Sequence, residues 1–144
     1  MIHYFDTSAL VKLFSNESGS KQVKELIVND SNETVLLELA EVEILSAVYR
    51  KFRNNEIPEV NIIPIQEAIK EQFGIFTIIP LGSDIIEESK RLIEVYGKDF
   101  GLRTLDALHV AGWNMVTEPG WVFVSSDLNQ IRVVEKQGQS VLLI

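Results

Sequence analysis

The sequence predicts a three-layer α/β/α domain built around a central parallel sheet of about five strands. Nearly continuous apolar runs of roughly four to six residues alternate along the chain with longer amphipathic stretches. Strands that are apolar on both faces are typical of a parallel sheet covered by helices on either side. The chain has 144 residues, 46% of them hydrophobic, so we expect residues 1–144 to form a single domain with a sizeable core.

Five apolar runs predict the strands, and seven amphipathic stretches predict the helices. The strand-like runs are, in chain order, IHYF, TVLLEL, FTIIPL, WVFVSS and VLLI. The helix-like stretches are Thr7–Phe14, Gly19–Asn29, Leu39–Arg53, Val60–Gln72, Ser83–Tyr96, Thr104–Val116 and Leu128–Gln137. No internal repeat and no low-complexity tract interrupts this alternation.

The composition limits the class of protein. There is no cysteine, so neither a disulfide framework nor a thiolate metal site is available. No apolar run approaches the roughly 20 residues that span a bilayer, and the N-terminus does not resemble a signal peptide, so we expect a cytoplasmic protein. The net charge of −8 argues against a large basic surface for nucleic acid. It does not exclude a nuclease, because bound cations reverse the local charge at carboxylates.

Two predicted strands each end at an aspartate. Asp6 follows IHYF, and Asp127 follows WVFVSS, with Ser125 two residues earlier on the same side of the strand. Ligands of open α/β sheets bind beyond the carboxyl ends of the strands, so both carboxylates are expected at one edge. Ser125 could hydrogen-bond a phosphate or a metal-bound water there. Aspartate is also a common helix N-cap, so the local sequence leaves both roles open.

A third acid, Asp106, lies in the first turn of a predicted helix that we expect Thr104 to cap. An acid in this position is favourable against the helix dipole. Its neighbours on the same helical face are His109, Val110 and Trp113. A carboxylate beside such a face is not simply a solvated charge.

The helix LAEVEILSAVYRKF offers two further candidates, Glu41 and Glu43. Glu41 falls beside large apolar side chains, whereas Glu43 falls beside the small Ser46 and Ala47. Arg50 lies two turns further on and could orient the Glu43 carboxylate. Periodicity alone does not choose between the two glutamates.

Other conspicuous residues have ordinary structural explanations. Buried aromatic and histidine side chains are common in cores, and isolated basic residues usually face solvent. We apply these explanations to His3, His109, Trp113, Trp121, Lys12 and Arg103.

Four stretches together resemble the PIN-domain ribonucleases, and most closely the VapC-type toxins of toxin–antitoxin pairs. The stretches are YFDTSALVKLF, LAEVEILSAVYRK, LRTLDALHVA and FVSSDLNQI, so the resemblance covers essentially the whole chain. The sequence departs from the family pattern at Leu37, where Ser or Thr is frequent, and in VAGWNM after Asp106.

The resemblance implies a metal-dependent endoribonuclease on an α/β/α fold. It matches Asp6, Glu43, Asp106 and Asp127 to the acidic quartet of the family, and it selects Glu43 over Glu41. Thr7 or Ser8 matches the hydroxyl residue that follows the first aspartate and would contact substrate. A co-encoded antitoxin that blocks the acidic site and a homodimer are also implied.

The chemistry of such a quartet requires a cation. Clustered carboxylates raise one another's pKa values unless a positive charge joins them. Mg²⁺ or Mn²⁺ prefers oxygen ligands, whereas the absence of cysteine and the two scattered histidines make zinc a poorer choice. We expect Asp6, Asp106 and Asp127 to hold the metal and Glu43 to hold or deprotonate the attacking water. The expected substrate is single-stranded or looped RNA.

Three alternatives remain at this point. An aspartyl-phosphate enzyme would need a second acid two residues after Asp6, and Ser8 stands there. A PIN-like binding module without catalysis would be favoured by missing acids, but all four are present. A PIN nuclease of RNA processing, outside any toxin–antitoxin pair, would share the same site.

Overall fold

The computed structural model describes residues 1–144 and joins five strands into one parallel sheet. The strands are β1 (Ile2–Phe5), β2 (Glu33–Leu37), β3 (Thr77–Ile79), β4 (Val122–Ser125) and β5 (Val141–Leu143). They lie in the order β3-β2-β1-β4-β5, so the chain builds outward from β1 in both directions. The order therefore reverses between β1 and β4, and a crevice is expected at their carboxyl ends.

Seven α-helices connect and follow the strands. They are α1 (Thr7–Leu10), α2 (Ser20–Val28), α3 (Leu39–Arg53), α4 (Ile62–Phe73), α5 (Ser83–Phe100), α6 (Thr104–Val116) and α7 (Leu128–Lys136). The first predicted helix is one α-turn followed by a 3₁₀ turn at Val11–Phe14, and a second 3₁₀ turn at Glu59–Asn61 precedes α4. None of these helices combines the length and the apolar character needed to cross a membrane.

Successive strand residues face opposite layers. Tyr4 and Phe123 are buried against α5, α6 and α7, whereas their neighbours Phe5 and Val124 are buried against α1 to α4. Because side chains alternate across a strand, a strand that is apolar throughout supplies two cores at once. The predicted three-layer α/β/α architecture with a five-stranded parallel sheet is confirmed.

Gly112 lets helix α6 pack directly against side chains of the sheet. A Cβ atom at this position would collide with the Tyr4 hydroxyl and lie 3.2 Å from Cδ1 of Leu37. Leu37 and the neighbouring Trp113 are both fully buried in the same core. The two departures from the family pattern thus lie in one packing contact, which holds α6 against the sheet.

Candidate active site

A polar cavity of about 510 Å³ lies at the carboxyl edge of the sheet, where β1 and β4 are neighbours. It is lined by one acid from each of four parts of the chain: Asp6, Glu43, Asp106 and Asp127. Thr7 and Ser8 also line it. Residues far apart in sequence therefore meet at the point where the strand order reverses.

Asp6 is the most deeply buried of the four acids. It follows β1 directly, caps α1 through a hydrogen bond from the Ala9 amide (3.1 Å), and is 1% exposed. The Ser8 hydroxyl lies 2.8 Å from both of its carboxylate oxygens. Burial raises the pKa of Asp6, although the charge of His109 and these hydrogen bonds oppose the shift. Asp6 therefore does cap α1. Capping alone, however, does not require a carboxylate that is almost fully buried.

Gln130, which the sequence reasoning missed, joins two of the acids. Its amide Nε2 donates to Asp6 Oδ2 (2.9 Å) and, more weakly, to Asp106 Oδ1 (3.5 Å). Gln130 lies in the first turn of α7 and is 3% exposed. Its position three residues after Asp127, on the same helical face, was the available signal.

Asp106 lies in the first turn of α6, as expected, but the residue that caps this helix differs from the expectation. Thr104 is the first helical residue rather than the cap, and Arg103 holds the N-cap position. The Asp106 carboxylate accepts from the Arg103 backbone amide (3.2 Å) and from its Nε (3.1 Å). The Arg103 guanidinium also approaches Asp127 Oδ2 at 3.6 Å. Arg103 was expected to face solvent, and although its side chain is largely exposed, it bridges two of the acids.

Asp127 caps α7 as the local sequence allowed. Its Oδ1 accepts from the amides of Asn129 (2.8 Å) and Gln130 (3.1 Å). The Ser125 hydroxyl accepts from the Asp127 amide at 2.9 Å and is fully buried. Ser8 accepts from the Ser126 amide at 2.9 Å. In this structure Ser125 therefore orders the loop that carries Asp127 and has no exposed surface for a ligand.

Glu43 lies opposite these residues, and its partners are Thr7 and His109. Thr7 Oγ1 donates to Glu43 Oε2 at 2.5 Å, and His109 Nε2 lies 2.6 Å from the same oxygen. Burial alone would raise the pKa of Glu43, but the hydrogen bonds and charge of His109, with the Thr7 hydroxyl, lower it.

His109 is the second residue that the sequence reasoning missed. It is buried, as a core histidine is, with 2% of its surface exposed, but its Nε2 bonds to Glu43 of another helix and so places His109 in the cavity. The available signal was its place one turn after Asp106 on the same face of α6.

The structure places the two glutamates of α3 in different cavities. Glu43 lines the acidic cavity together with Ser46, Ala47 and Arg50. Glu41 points into a different cleft, between α3 and α4. Arg50 does not orient Glu43, because the side chains that hydrogen-bond to the Glu43 carboxylate are those of His109 and Thr7.

The residues present fit a divalent cation by chemistry, since the three aspartates offer only hard oxygen donors. No three Asp, Glu or His side chains are arranged to ligate one ion as they stand. The contacts above explain this, because the Gln130 amide separates Asp6 from Asp106 and the Arg103 guanidinium separates Asp106 from Asp127. Both groups present positive hydrogen atoms to oxygens that a cation would bind.

The chain is an α/β/α domain with a carboxylate-lined cavity at the carboxyl ends of its strands. Comparison with known proteins identifies the family. The model of the PIN domain family matches residues 3–113. The chain therefore belongs to the PIN domain family.

Known proteins similar to the chain come from several bacteria. Ribonuclease VapC45 of Mycobacterium tuberculosis is 26% identical over 119 residues, which cover 83% of this chain and 79% of the relative. The crystal structure of VapBC2 from Rickettsia felis, bound to a promoter DNA fragment, aligns with a TM-score of 0.66 at 12% identity. It covers 100% of this chain and 99% of that chain. A toxin–antitoxin complex from Klebsiella pneumoniae aligns with a TM-score of 0.58 at 18% identity, covering 87% and 86%. These structural likenesses establish the shared fold.

Proposed function

We propose that this protein is a Mg²⁺- or Mn²⁺-dependent endoribonuclease that hydrolyses phosphodiester bonds in RNA. The observation that carries the proposal is the convergence of four carboxylates, from four separate elements, on one cavity. Asp6 is buried there with a raised pKa, a situation that a bound cation relieves. The name of the relative VapC45, a ribonuclease, supports RNA as the substrate.

Asp6, Asp106 and Asp127 are the residues that would hold the metal. Asp6 is fixed by its cap on α1, and Asp127 is fixed by its cap on α7. Asp106 stands at the start of α6, which the close contact at Gly112 holds against the sheet. A bound divalent cation supplies charge that lowers the pKa of water and polarises a phosphate.

Glu43 is the residue that we assign to the attacking water. Its Oε2 is occupied by Thr7 and His109, so Oε1 is the oxygen left to accept a proton. The lowered pKa keeps this carboxylate ionised at neutral pH. A carboxylate held at one oxygen and free at the other is suited to orienting a water molecule.

The hydroxyl residues divide into two groups in this proposal. Thr7 and Ser8 line the cavity and can donate to a phosphate, in addition to their contacts with Glu43 and Asp6. Ser125 contributes indirectly, by holding the Asp127 loop. Single-stranded or looped RNA is the proposed substrate class, because its backbone can bend into a cavity of this kind.

A protein partner completes the proposal. Solved structures with this fold include a toxin–antitoxin complex, which supports a toxin role with an antitoxin as the partner. We propose the acidic cavity as the place where this partner binds. We propose that residues 1–144 act as one domain and as a homodimer in the cytoplasm. An arginine from the antitoxin would complement the carboxylates.

The test is cleavage of structured RNAs, including tRNAs, by purified protein free of any partner. With Mg²⁺ or Mn²⁺ we expect cleavage by the wild type and none in EDTA. Asp6→Asn should lose cleavage at least about 100-fold, because it removes the negative charge of a metal ligand while Asn keeps the N-cap. Glu41→Gln removes an acid outside the cavity and is the matched control with wild-type activity.

Equal behaviour of the wild type and Asp6→Asn would contradict the proposal for these RNAs. Mn²⁺ titration then distinguishes a nuclease that acts on other RNAs from a binding module without catalysis. A nuclease site binds the ion through Asp6, whereas a binding-only module does not need to.

A further inference from the structure

The buried amide of Gln130 is the starting point. Its NH₂ group lies between Asp6 and Asp106, at 2.9 Å and 3.5 Å from their oxygens. Its carbonyl oxygen, Oε1, is buried and has no hydrogen-bond partner. Buried side-chain oxygens without a partner are uncommon in folded proteins. The amide therefore donates to two carboxylates, while its own oxygen lacks a partner.

The charges of the neighbours explain this orientation. An ionised carboxylate only accepts hydrogen bonds, so the NH₂ end of the amide must face Asp6 and Asp106. A cation at the same oxygens reverses the preference, because the amide hydrogens would then face a positive charge. Turning the amide by half a turn directs Oε1 toward the cation, which becomes its partner, while the NH₂ group takes the position that Oε1 leaves.

The distances fit this alternative. Two oxygen ligands at right angles around Mg²⁺, each at about 2.1 Å, lie about 3 Å apart. The Gln130 Nε2 atom lies 2.9 Å from Asp6 Oδ2, and the turned amide would place its oxygen at that position. The longer 3.5 Å separation from Asp106 Oδ1 leaves room for this carboxylate to move inward.

We propose that Gln130 is an additional metal ligand outside the acidic quartet, whose amide turns from bridging Asp6 and Asp106 to binding the divalent cation through Oε1. This inference rests on the proposed function, since it assumes a cation between these two aspartates. A neutral ligand adds an oxygen donor without adding a third negative charge to a buried pair. Because Gln130 and Asp127 share the first turn of α7, one short helix supplies two ligands.

The test is Mn²⁺ binding by calorimetry, with thermal unfolding in EDTA as the second measurement. Gln130→Leu should bind Mn²⁺ about 10-fold more weakly, because it lacks the amide oxygen. Gln130→Glu keeps an oxygen donor and adds charge, so it should bind about 10-fold more tightly yet unfold at a lower temperature in EDTA. Gln22→Glu adds the same charge at an exposed position in the first turn of α2, outside the cavity, and should change neither value.

Gln130→Met, which is also unbranched and flexible, replaces Gln130→Leu if the latter fails to fold. In ¹⁵N spectra, the side-chain NH₂ signal of Gln130 should shift on addition of Mg²⁺. Wild-type affinity in all variants, or tighter binding by Gln130→Leu, would overturn the inference and leave the nuclease proposal intact. Absence of Mn²⁺ binding by the wild type would overturn both.

Discussion

The acidic cavity has two halves that carry the same kind of charge in opposite surroundings. The Asp6 half consists of Asp6, Asp106 and Gln130, and the Glu43 half consists of Glu43, Thr7 and His109. In the first half burial dominates and raises the pKa of Asp6. In the second half the donors outweigh burial and lower the pKa of Glu43. The balance between burial and the partners of each carboxylate, and not the type of acid, sets the direction of the shift.

This difference supports the separate tasks proposed for the two halves. The Asp6 half offers its buried carboxylates only neutral donors from within, with Arg103 approaching from the exposed side. Under the proposed function, a divalent cation is the partner that this pair would take. The Glu43 half is already satisfied at one oxygen, so it needs no cation and can act on a water molecule instead. The proposed division of labour can be broken or sharpened experimentally.

The largest expected effect separates metal binding from catalysis. Asp6→Asn should weaken Mn²⁺ binding at least about 100-fold, because a charged ligand is lost from the Asp6 half. Glu43→Gln should bind Mn²⁺ within about threefold of the wild type, since its carboxylate lies in the other half. Both variants should lose RNA cleavage. Calorimetric titration and cleavage assays on the same preparations measure the two effects.

A parallel loss of Mn²⁺ binding in both variants would contradict this comparison. It would mean that Glu43 is a metal ligand and that the two halves act as one site. Glu41→Gln, which lies outside the cavity, controls for the general loss of a negative charge on α3.

An intermediate effect is expected from His109, which holds Glu43. His109→Phe keeps the ring volume but removes the hydrogen bond at 2.6 Å. Cleavage should fall about 10- to 100-fold with Mn²⁺ affinity retained, as for loss of an orienting partner. His109→Gln, which can still donate to Glu43, should recover part of the activity. His3→Phe replaces another buried histidine, on β1, and should leave cleavage unchanged.

Much of the fold could be predicted because its signals are local. Helices α3 and α6 have the predicted bounds, and every predicted strand exists. The error in α5 is instructive, because the prediction ended the helix at Tyr96, before Gly97. The helix continues to Phe100, where Gly101 adopts φ 65° in the left-handed region. A glycine inside a helix costs stability without ending it, whereas a left-handed glycine does end it.

The site was predictable only where its residues follow a local pattern. Asp6 and Asp127 stand at strand ends, and the resemblance selected Glu43 among the acids of α3. Gln130 contacts Asp6 across 124 positions of the sequence, and His109 contacts Glu43 across 66. Helical spacing places Gln130 beside Asp127 and His109 beside Asp106, but the distant carboxylate that each contacts depends on how α6 and α7 pack on the sheet.

The smallest expected effect is the pH dependence of stability without metal, and its sign differs between the two halves. The pKa of Asp6 is raised above 3.8, so the folded state binds its proton more tightly than the unfolded chain. Stability therefore falls as pH rises through the interval between these values. The pKa of Glu43 is lowered below 4.5, so its contribution is present above that value and is lost as pH falls.

Thermal unfolding in EDTA between about pH 3 and pH 8 measures both effects, each on the order of a few degrees. Asp6→Asn should gain stability over the wild type as pH rises, because it lacks the buried charge. Glu43→Gln should lose most relative to the wild type near neutral pH and converge with it in acid. Parallel curves for the two variants would show that the same environment acts on both carboxylates. Opposite slopes would instead mean that, within one cavity, Asp6 lacks a compensating positive charge whereas Glu43 already has its partners.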